Sequence, residues 1–326
     1  MLAPHIAKAL RQDGRRILIT GASGWLGRAT LDLLHQALGR QFDERVRCFG
    51  SAQRRFALPG SDSIAQQPLA ALADLAEQPS LLLHLAFLGK ERAEQMDEPQ
   101  YRAANRAIGE TVLGALDGIG IEAAFVSSSG AAAHADDPHA SAAMRLYGAM
   151  KRDDEDGFTK WAETTGKRLV IARIHNLSGP HINKPGSYAL GCFIADALRG
   201  GPIKVRAPHD VVRGYVAIRE LMSLVFACLL REGRQTLRFD TAGEPVELGA
   251  LAELVAAQFG GCAIERPARV PGEDRYVGDP NAYRALLQTE HIAEVPLDRQ
   301  IAETAAFLLA QLAVGREEPA LSSAAR

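Results

Sequence analysis

The sequence has no apolar run long enough to cross a bilayer. The longest, Leu81 to Leu88 and Leu221 to Leu230, are well short of the roughly 20 residues that a membrane-spanning helix needs. Neither sign of charge dominates, because 37 lysines and arginines oppose 39 aspartates and glutamates. A net charge of -2 gives no bulk field for nucleic acid or an anionic membrane. We therefore expect a small-molecule partner, with no nucleic acid and no membrane.

Patterns for disulfides and metal sites are also missing. The cysteines Cys48, Cys192, Cys228 and Cys262 lie far apart and form no CxxC pair. The nine histidines show no HExxH or other tight ligand spacing, so no metal is predicted. Residues 1–16 mix charged side chains into their apolar positions, unlike a secretory signal, and a cytoplasmic location is the default expectation.

What is present in the first half is an alternation of short apolar segments with longer amphipathic ones. Such alternation predicts an α/β fold with a doubly wound parallel sheet. The predicted strands are Arg16 to Thr20, Arg45 to Phe49, Leu81 to Ala86, Ala123 to Ser127 and Arg168 to Ile174. The predicted helices among them are Trp25 to Leu38, Tyr101 to Leu116 and Leu146 to Thr165.

The segment TGASGWLG, residues 20–27, joins the first predicted strand to the first predicted helix. Gly21 permits a tight turn, Gly24 lets backbone N–H groups approach a pyrophosphate, and Gly27 allows close packing of helix on strand. Because a strand precedes the turn and an amphipathic helix follows it, the segment predicts dinucleotide binding rather than an ordinary glycine-rich loop. The predicted cofactor site takes from the same turn Ser23, Trp25 and Leu26.

Beyond Ile174 the sequence changes to loops rich in glycine and proline, which predicts a domain boundary. Residues 1–176 are predicted to form a Rossmann domain that binds NAD(P), and residues 177–326 mainly a smaller mixed α/β substrate-binding domain. A strand near 237–240 could return to the Rossmann sheet, and the tail 315–326 is expected to be loose. Helices are predicted at Leu190 to Leu198, Ile218 to Leu230, Leu248 to Phe259 and Asp298 to Val314.

The end of the second predicted strand lacks the acidic residue that usually binds the adenosine ribose of NAD. Ser51 stands there among small and polar residues, Arg54 and Arg55 follow, and Arg28 lies just after the glycine turn. A guanidinium group can bind the 2′-phosphate of NADP in bidentate fashion. NADP(H) is therefore favoured over NAD(H), with solvated loop arginines as the alternative interpretation.

Tyr147 and Lys151 lie four residues apart in a predicted helix and project from the same face. A unit positive charge about 6 Å from the phenol, at an effective dielectric near 20, stabilises the phenolate by roughly 3 kcal/mol, or about 2 pKa units. The tyrosine can then act as a base near neutral pH. The nearby triple serine Ser127 to Ser129 ends a predicted strand, where its hydroxyls either hold a substrate oxygen or cap a helix.

With these residues the sequence resembles the extended short-chain dehydrogenase/reductase family, especially its nucleotide-sugar epimerases and reductases of the UDP-galactose 4-epimerase kind. The resemblance extends from Ile17 to about Leu287. Its matching pieces are the glycine turn, His84-Leu85-Ala86, Asn105 with Gly109 and Val112-Leu113, the triple serine, Tyr147 with Lys151, Arg173 to Pro180 (RIHNLSGP), Arg213-Gly214-Tyr215-Val216, and Arg269-Val270-Pro271-Gly272-Glu273 followed by Asp279.

The resemblance implies an NAD(P)-dependent enzyme that acts on a nucleotide sugar through a keto intermediate. It implies that Tyr147 is the general acid/base and that Lys151 binds the nicotinamide ribose and lowers the tyrosine pKa. Ser129 would orient the substrate, with Ser128 as the fallback. The remaining implied contacts are Leu85, Ala86 and Asn105 with the cofactor, and Asn176, Arg213 and Arg269 with the substrate. A homodimer is implied as well.

Several alternatives stay open from the sequence. Gly130 and Ala131 follow Ser129 where family members that eliminate water carry Asp-Glu, so the resemblance does not imply a dehydratase of that type. Epimerase and reductase both remain, as do a ketoreductase of a non-nucleotide metabolite and a dinucleotide-sensing protein without catalysis. The acidic run Asp153 to Asp156 is predicted to be a solvated helix face.

The implied substrate contacts of the second half have an alternative of their own. Arg213 and Arg269 could pair with Asp210 and Asp274 as surface ions instead of binding a diphosphate.

Overall fold

The computed structural model describes residues 1–58 and 61–317, so the predicted loose tail lies outside the described residues from 318 onward. The strands in these ranges are, in chain order, β1 (Arg16–Thr20), β2 (Val46–Gly50), β3 (Arg54–Leu58), β4 (Ser61–Pro68), β5 (Ser80–His84), β6 (Ile121–Ser129), β7 (Arg168–Ile174), β8 (Asn176–Ser178), β9 (Ile203–Lys204), β10 (Asp210–Arg213), β11 (Tyr215–Ala217), β12 (Thr236–Asp240), β13 (Val246–Glu247), β14 (Ile264–Glu265) and β15 (Glu273–Tyr276).

The helices of the described ranges are α1 (Pro4–Asp13), α2 (Trp25–Leu38), α3 (Phe42–Arg45), α4 (Lys90–Gln95), α5 (Glu98–Ala115), α6 (Ala142–Thr165), α7 (Ala189–Leu198), α8 (Ile218–Leu230), α9 (Leu248–Gln258), α10 (Pro280–Thr289) and α11 (Leu297–Glu317). Within these ranges, no helix combines the length and the apolar character that crossing a membrane would require. The chain divides into two compact units, each built from three segments.

The first unit contains Met1–Asn176, Ile218–Gly243 and Val277–Glu294. Its sheet has eight strands in the described residues, in the order β12-β7-β6-β5-β1-β2-β4-β3. Neighbouring strands are parallel except β3, which pairs antiparallel with β4 at the edge. The predicted α/β doubly wound fold is confirmed, and β12 lies at the opposite edge, beside β7.

Central strands of this sheet are buried along their whole length, which explains their continuous apolar sequences. Every residue of β1 and of β5 is buried. On one face, α5 and α6 cover the sheet through a core that includes Val112, Phe158 and Trp161. The helix α6 begins where the Ser141 side chain accepts a hydrogen bond from the Met144 N–H, a normal N-cap.

The second unit contains Leu177–Ala217, Glu244–Tyr276 and Val295–Arg326. Its described strands form small sheets, one of three strands in the order β13-β10-β15 and one that pairs β14 with β9. The helices α7, α9 and α11 belong to this unit. This mixture of short strands and helices agrees with the predicted smaller mixed α/β part of the fold.

Among the elements that the sequence did not predict are α1, α10 and the β3–β4 pair. The helix α1 packs its buried Ile6 and Leu10 inward, but it is short and starts only three residues into the sequence. The residues Arg54 and Arg55, which the sequence placed after the second strand with no strand of their own, are the first two residues of β3. Their strand carries only two buried side chains, so its apolar pattern is weak.

Candidate active site

The glycine turn between β1 and α2 is shaped by close backbone contacts. Gly21 has φ +71°, and a Cβ there would lie 2.7 Å from the Ala86 nitrogen. A Cβ on Gly27 would lie 2.5 Å from the Gly21 carbonyl oxygen. Gly24 is the N-cap of α2 and provides no side-chain cap. A helix N-terminus that begins at a glycine fits the pyrophosphate of a dinucleotide.

The other predicted residues of the turn support this shape. The helix α2 starts at Trp25, and the carbonyl of Leu26 accepts a hydrogen bond from the Thr30 hydroxyl at 2.7 Å. The carbonyl of Ser23 accepts a hydrogen bond from Arg28 Nε at 3.2 Å.

The loop after β5 is fixed to the glycine turn and to α5. The Thr20 hydroxyl oxygen accepts hydrogen bonds from the N–H groups of Leu85 and Ala86, at 3.2 and 3.3 Å. Further along, the Leu88 N–H donates to Asn105 Oδ1 at 2.9 Å. The Nδ2 group of Asn105 is buried and has no hydrogen-bond partner among the described residues, so its two N–H donors remain for a ligand.

At the end of β2 the two predicted arginines point to opposite sides of β3. The guanidinium of Arg28 lies 4.6 Å from the centre of the Phe56 ring. Arg54 is two residues from Phe56 and therefore shares its face of the strand, and its Nη2 lies 3.4 Å from Ser51 Oγ. Arg55 is on the other face, where it donates to Ser63 Oγ at 3.1 Å. Of these three arginines, Arg28 and Arg54 therefore lie on the same side of β3 as Ser51, and Arg55 does not.

Tyr147 and Lys151 meet at the ring of Phe87, in the loop after β5. The Tyr147 ring packs edge-on against Phe87, with ring centres 5.9 Å apart. The Lys151 Nζ lies 3.6 Å from the centre of the same ring and donates to the Ser127 carbonyl at 2.6 Å. Phe87 was not predicted from the sequence, because a lone aromatic residue after a strand carries no pattern.

Lys151 is buried, with 4% of its surface exposed. Burial lowers its pKa to about 8, against the opposing effects of the Asp154 and Glu155 carboxylates. A lysine with that pKa is mostly protonated at pH 7, so it keeps a positive charge beside Tyr147.

The triple serine ends β6 with each hydroxyl in a different environment. Ser127 Oγ donates to the His84 carbonyl at 3.2 Å, and Ser128 Oγ donates to Glu155 Oε1 at 2.5 Å. Ser129 Oγ accepts from the Ala131 N–H at 3.2 Å and caps the short 3-10 turn that follows. A Cβ on Gly148, the residue after Tyr147, would collide with the Ala131 carbonyl, so α6 packs directly on this turn.

The acidic run on α6 is only half the solvated face that the sequence predicted, because Asp153 and Asp156 are exposed but the two residues between them are not. Glu155 is completely buried, and the Asp154 side chain is 9% exposed. Asp154 Oδ2 lies 3.5 Å from His84 Nε2, and His84 Nδ1 is 2.8 Å from the Thr20 hydroxyl. The prediction failed because the partners of both carboxylates lie on strands distant in sequence. The spacing of Glu155, four residues after Lys151, is the signal that places it on the Tyr147 face.

The residues after β7 lie beside Gly130. The ring of His175 fills the space where a side chain at position 130 would be, because a Cβ on Gly130 would approach that ring closely. The His175 N–H donates to the Thr241 hydroxyl at 3.0 Å, and burial lowers the pKa of His175. Asn176, the predicted substrate ligand, follows it and is half-buried.

The predicted diphosphate ligands belong to the second unit, where each is engaged by an aspartate. Arg213 donates through Nη2 to Asp274 Oδ2 at 2.7 Å and through Nη1 to the Asp274 carbonyl at 2.9 Å. Arg269 is paired with Asp210. Over the described ranges, no three His, Cys, Asp or Glu side chains are grouped so that they could hold a metal ion.

A doubly wound parallel sheet whose first strand leads through a glycine turn into a helix with a glycine N-cap defines a dinucleotide-binding α/β protein. The sequence model of the NAD dependent epimerase/dehydratase family matches residues 17–239. The chain belongs to this family, so the resemblance drawn from its motifs is confirmed, and so is its assignment as an enzyme.

Individual relatives agree with the family. The dTDP-L-rhamnose 4-epimerase of Burkholderia thailandensis is 28% identical over 118 residues, which are 35% of this chain and only 32% of that protein. The epimerase Mth375 of Methanothermobacter thermautotrophicus has a similar structure, with a TM-score of 0.73, 16% identity, and coverage of 97% of this chain and 98% of that one.

The Bordetella bronchiseptica enzyme WbmF, solved in complex with NAD+ and UDP, has a TM-score of 0.73 at 17% identity and covers 93% of this chain and 94% of its own. Similarity at these identities shows a common fold.

Proposed function

We propose that this protein is an NAD(P)-dependent epimerase or reductase that acts on a nucleotide sugar through a keto intermediate. The observation that carries the proposal is the meeting of Tyr147 and a buried, protonated Lys151 at Phe87, beside the end of β6. Family membership supports the reaction class. The UDP bound to WbmF and the dTDP-sugar named for the Burkholderia relative support a nucleotide-linked substrate.

In this proposal each side chain has one task. Tyr147 accepts the proton of a sugar hydroxyl as the adjacent carbon is oxidised, and returns it on reduction. Lys151 lowers the tyrosine pKa through its positive charge, and Ser129 donates a hydrogen bond to the reacting oxygen. The dinucleotide, held by the glycine turn and by the Asn105 amide, supplies a hydride acceptor and donor.

Epimerase and reductase differ in cofactor use, and this difference provides the test. An epimerase regenerates its dinucleotide in every turnover, so the purified protein would convert UDP- and dTDP-sugars without added cofactor. A reductase would consume one NADPH for each molecule of nucleotide-linked keto sugar that it reduces. If neither outcome occurs over a panel of such sugars and their keto forms, the proposal is refuted. The buried Gly130 and Ala131 after Ser129 offer no acid or base for elimination of water, which favours these two reactions over dehydration.

For the cofactor we propose a preference for NADP(H) over NAD(H). Support comes from the two guanidinium groups, of Arg28 and Arg54, on the Ser51 side of β3, and from the lack of an acidic residue in positions 51–53 after β2. Titration with NADPH and NADH tests the preference. Arg54→Ala should weaken NADPH binding about tenfold with NADH little changed, and Arg55→Ala, on the opposite face, is the matched control. Equal NADPH affinity in the two variants and the parent would refute it.

A second candidate, a ketoreductase for a non-nucleotide metabolite, is favoured by the engagement of Arg213 and Arg269 with aspartates. A diphosphate would have to compete with those carboxylates. The variants Arg213→Ala and Arg269→Ala separate the two candidates. Loss of activity on a nucleotide sugar, with activity on a free ketone retained, supports the first candidate, and unchanged activity on both substrates supports the second.

A further inference from the structure

Two neighbouring residues at the end of β6 each form a hydrogen bond with a side chain of α6. Lys151 Nζ donates to the carbonyl oxygen of Ser127 at 2.6 Å, and the hydroxyl of Ser128 donates to Glu155 Oε1 at 2.5 Å. Lys151 and Glu155 are four residues apart on the helix, so the two bonds come from successive turns of the same face. The next residue of the strand is Ser129, and Tyr147 lies one turn before Lys151 on that face.

The carboxylate of Glu155 is itself held by cations from two other strands. Arg173 on β7 donates to both oxygens at 2.8 Å, and Arg238 on β12 approaches Oε2 at 3.1 Å. Burial by itself would raise the pKa of Glu155, but the hydrogen bonds from Arg173 and Ser128 and the charges of both arginines lower it below its usual value. The Glu155 carboxylate is therefore ionised although the residue is fully buried.

We infer that Glu155 is a positioning residue of the reaction. Its hydrogen bond to Ser128 holds the Ser128–Ser129 end of β6 at a fixed distance from Tyr147, and its negative charge acts on Lys151. The inference rests on the proposed function of Tyr147, Lys151 and Ser129. Glu155 itself touches neither substrate nor cofactor in this scheme. It acts through the Ser128 hydroxyl on the strand and through its charge on the lysine.

The two effects can be separated because they depend on different parts of the carboxylate. The hydrogen bond alone sets the position of the strand end, whereas the charge alone acts on Lys151. The charged groups around Lys151 are Asp154 and Glu155 on its own helix, and those that face Glu155 from other elements are Arg173 and Arg238. The negative charge of Glu155 raises the Lys151 pKa, so its removal should make that lysine lose its proton at a lower pH.

The experiment measures kcat, KM and their pH profiles with the nucleotide sugar that the parent turns over. Ser128→Ala removes the hydrogen bond and keeps the charge, so kcat should fall about threefold to tenfold with the alkaline limb of the profile unmoved. Ser128→Thr keeps a hydroxyl and should restore kcat. Glu155→Gln removes the charge and should also move the alkaline limb down by about one pH unit.

Asp156→Asn is the matched control, because it removes an exposed carboxylate next to Glu155 and should behave like the parent. If Glu155→Gln does not fold, Ser128→Ala with its threonine partner decides the question alone. Parental kcat in Ser128→Ala, or a Glu155→Gln enzyme with an unmoved alkaline limb, would overturn the inference.

The same series includes Tyr147→Phe, so that failure of the proposed function is recognised separately. If Tyr147→Phe is inactive and Ser128→Ala has the parental activity, only the role inferred for Glu155 is refuted. If Tyr147→Phe has the parental activity, or if the parent turns over no nucleotide sugar, both the proposed function and this inference are refuted.

Discussion

The buried ammonium of Lys151 should make the stability of the fold depend on pH in a specific window. Its pKa falls from 10.5 in an exposed lysine to about 8 in the folded chain, because burial removes water from the charge. The perturbation that isolates this effect is Lys151→Met, which keeps a long side chain over Phe87 and removes the titrating group. Both proteins carry Tyr147→Phe as well, because Lys151 is proposed to change the pKa of that tyrosine, and the groups that do not interact with Lys151 cancel in the comparison.

The sign follows from the protons bound in each state. Below about pH 8 the lysine is protonated in the folded and the unfolded chain, so it adds no pH dependence. Between about pH 8 and 10.5 only the unfolded chain keeps the proton, so stability rises with pH. The whole difference corresponds to about 3 kcal/mol, of which about 2 kcal/mol is gained between pH 7.5 and pH 10.

Urea unfolding of both proteins, without added dinucleotide, measures this gain. The free energy of unfolding of the protein that keeps Lys151 should rise relative to that of the Lys151→Met protein by about 2 kcal/mol from pH 7.5 to pH 10. If the difference in the free energy of unfolding between the two proteins stays constant over this range, no charged lysine is buried at this position. A difference that falls with pH would contradict the predicted direction of the pKa shift.

Two further substitutions test neighbouring parts of the site against matched controls. Gly27→Ala places a methyl group 2.5 Å from a backbone oxygen of the glycine turn and should cost about 1–3 kcal/mol in urea unfolding, whereas Gly114→Ala, in open space on α5, should not destabilise the fold. Asp154→Ala removes the carboxylate beside His84 and should weaken NADPH binding about tenfold in a fluorescence titration. Asp153→Ala, which changes its exposed neighbour, should leave NADPH binding as in the parent, and equal affinities in both variants would contradict a link from α6 to the glycine turn.

The parallel sheet could be predicted because burial on both faces forces its strands to be continuously apolar. Arg16–Thr20 and Arg168–Ile174 were predicted with the bounds that the structure has. The glycine turn was recognisable for a related reason, since close backbone contacts at Gly21 and Gly27 leave no room for a side chain. Local constraints of this kind can be recognised directly from the residue types in the sequence.

Other parts of the site depend on partners that lie far apart along the chain. Glu155 could not be recognised as buried, because the cations that stabilise it come from strands 18 and 83 residues later in the sequence, at Arg173 and Arg238. The different roles of Arg54 and Arg55 depend on a strand whose pattern is too weak to predict. The proposed homodimer and the cytoplasmic location stay predictions.

The central claim is that a phenol, an ammonium group and a nicotinamide ring act together, and one comparison tests it most directly. Turnover of the nucleotide sugar and dinucleotide affinity are measured for the parent and for Tyr147→Phe. We expect kcat to fall by roughly a factor of 100 or more in the variant, since general acid/base catalysis contributes that much, while dinucleotide affinity stays within about threefold of the parent. A variant that turns over the sugar at the parental rate would contradict the account.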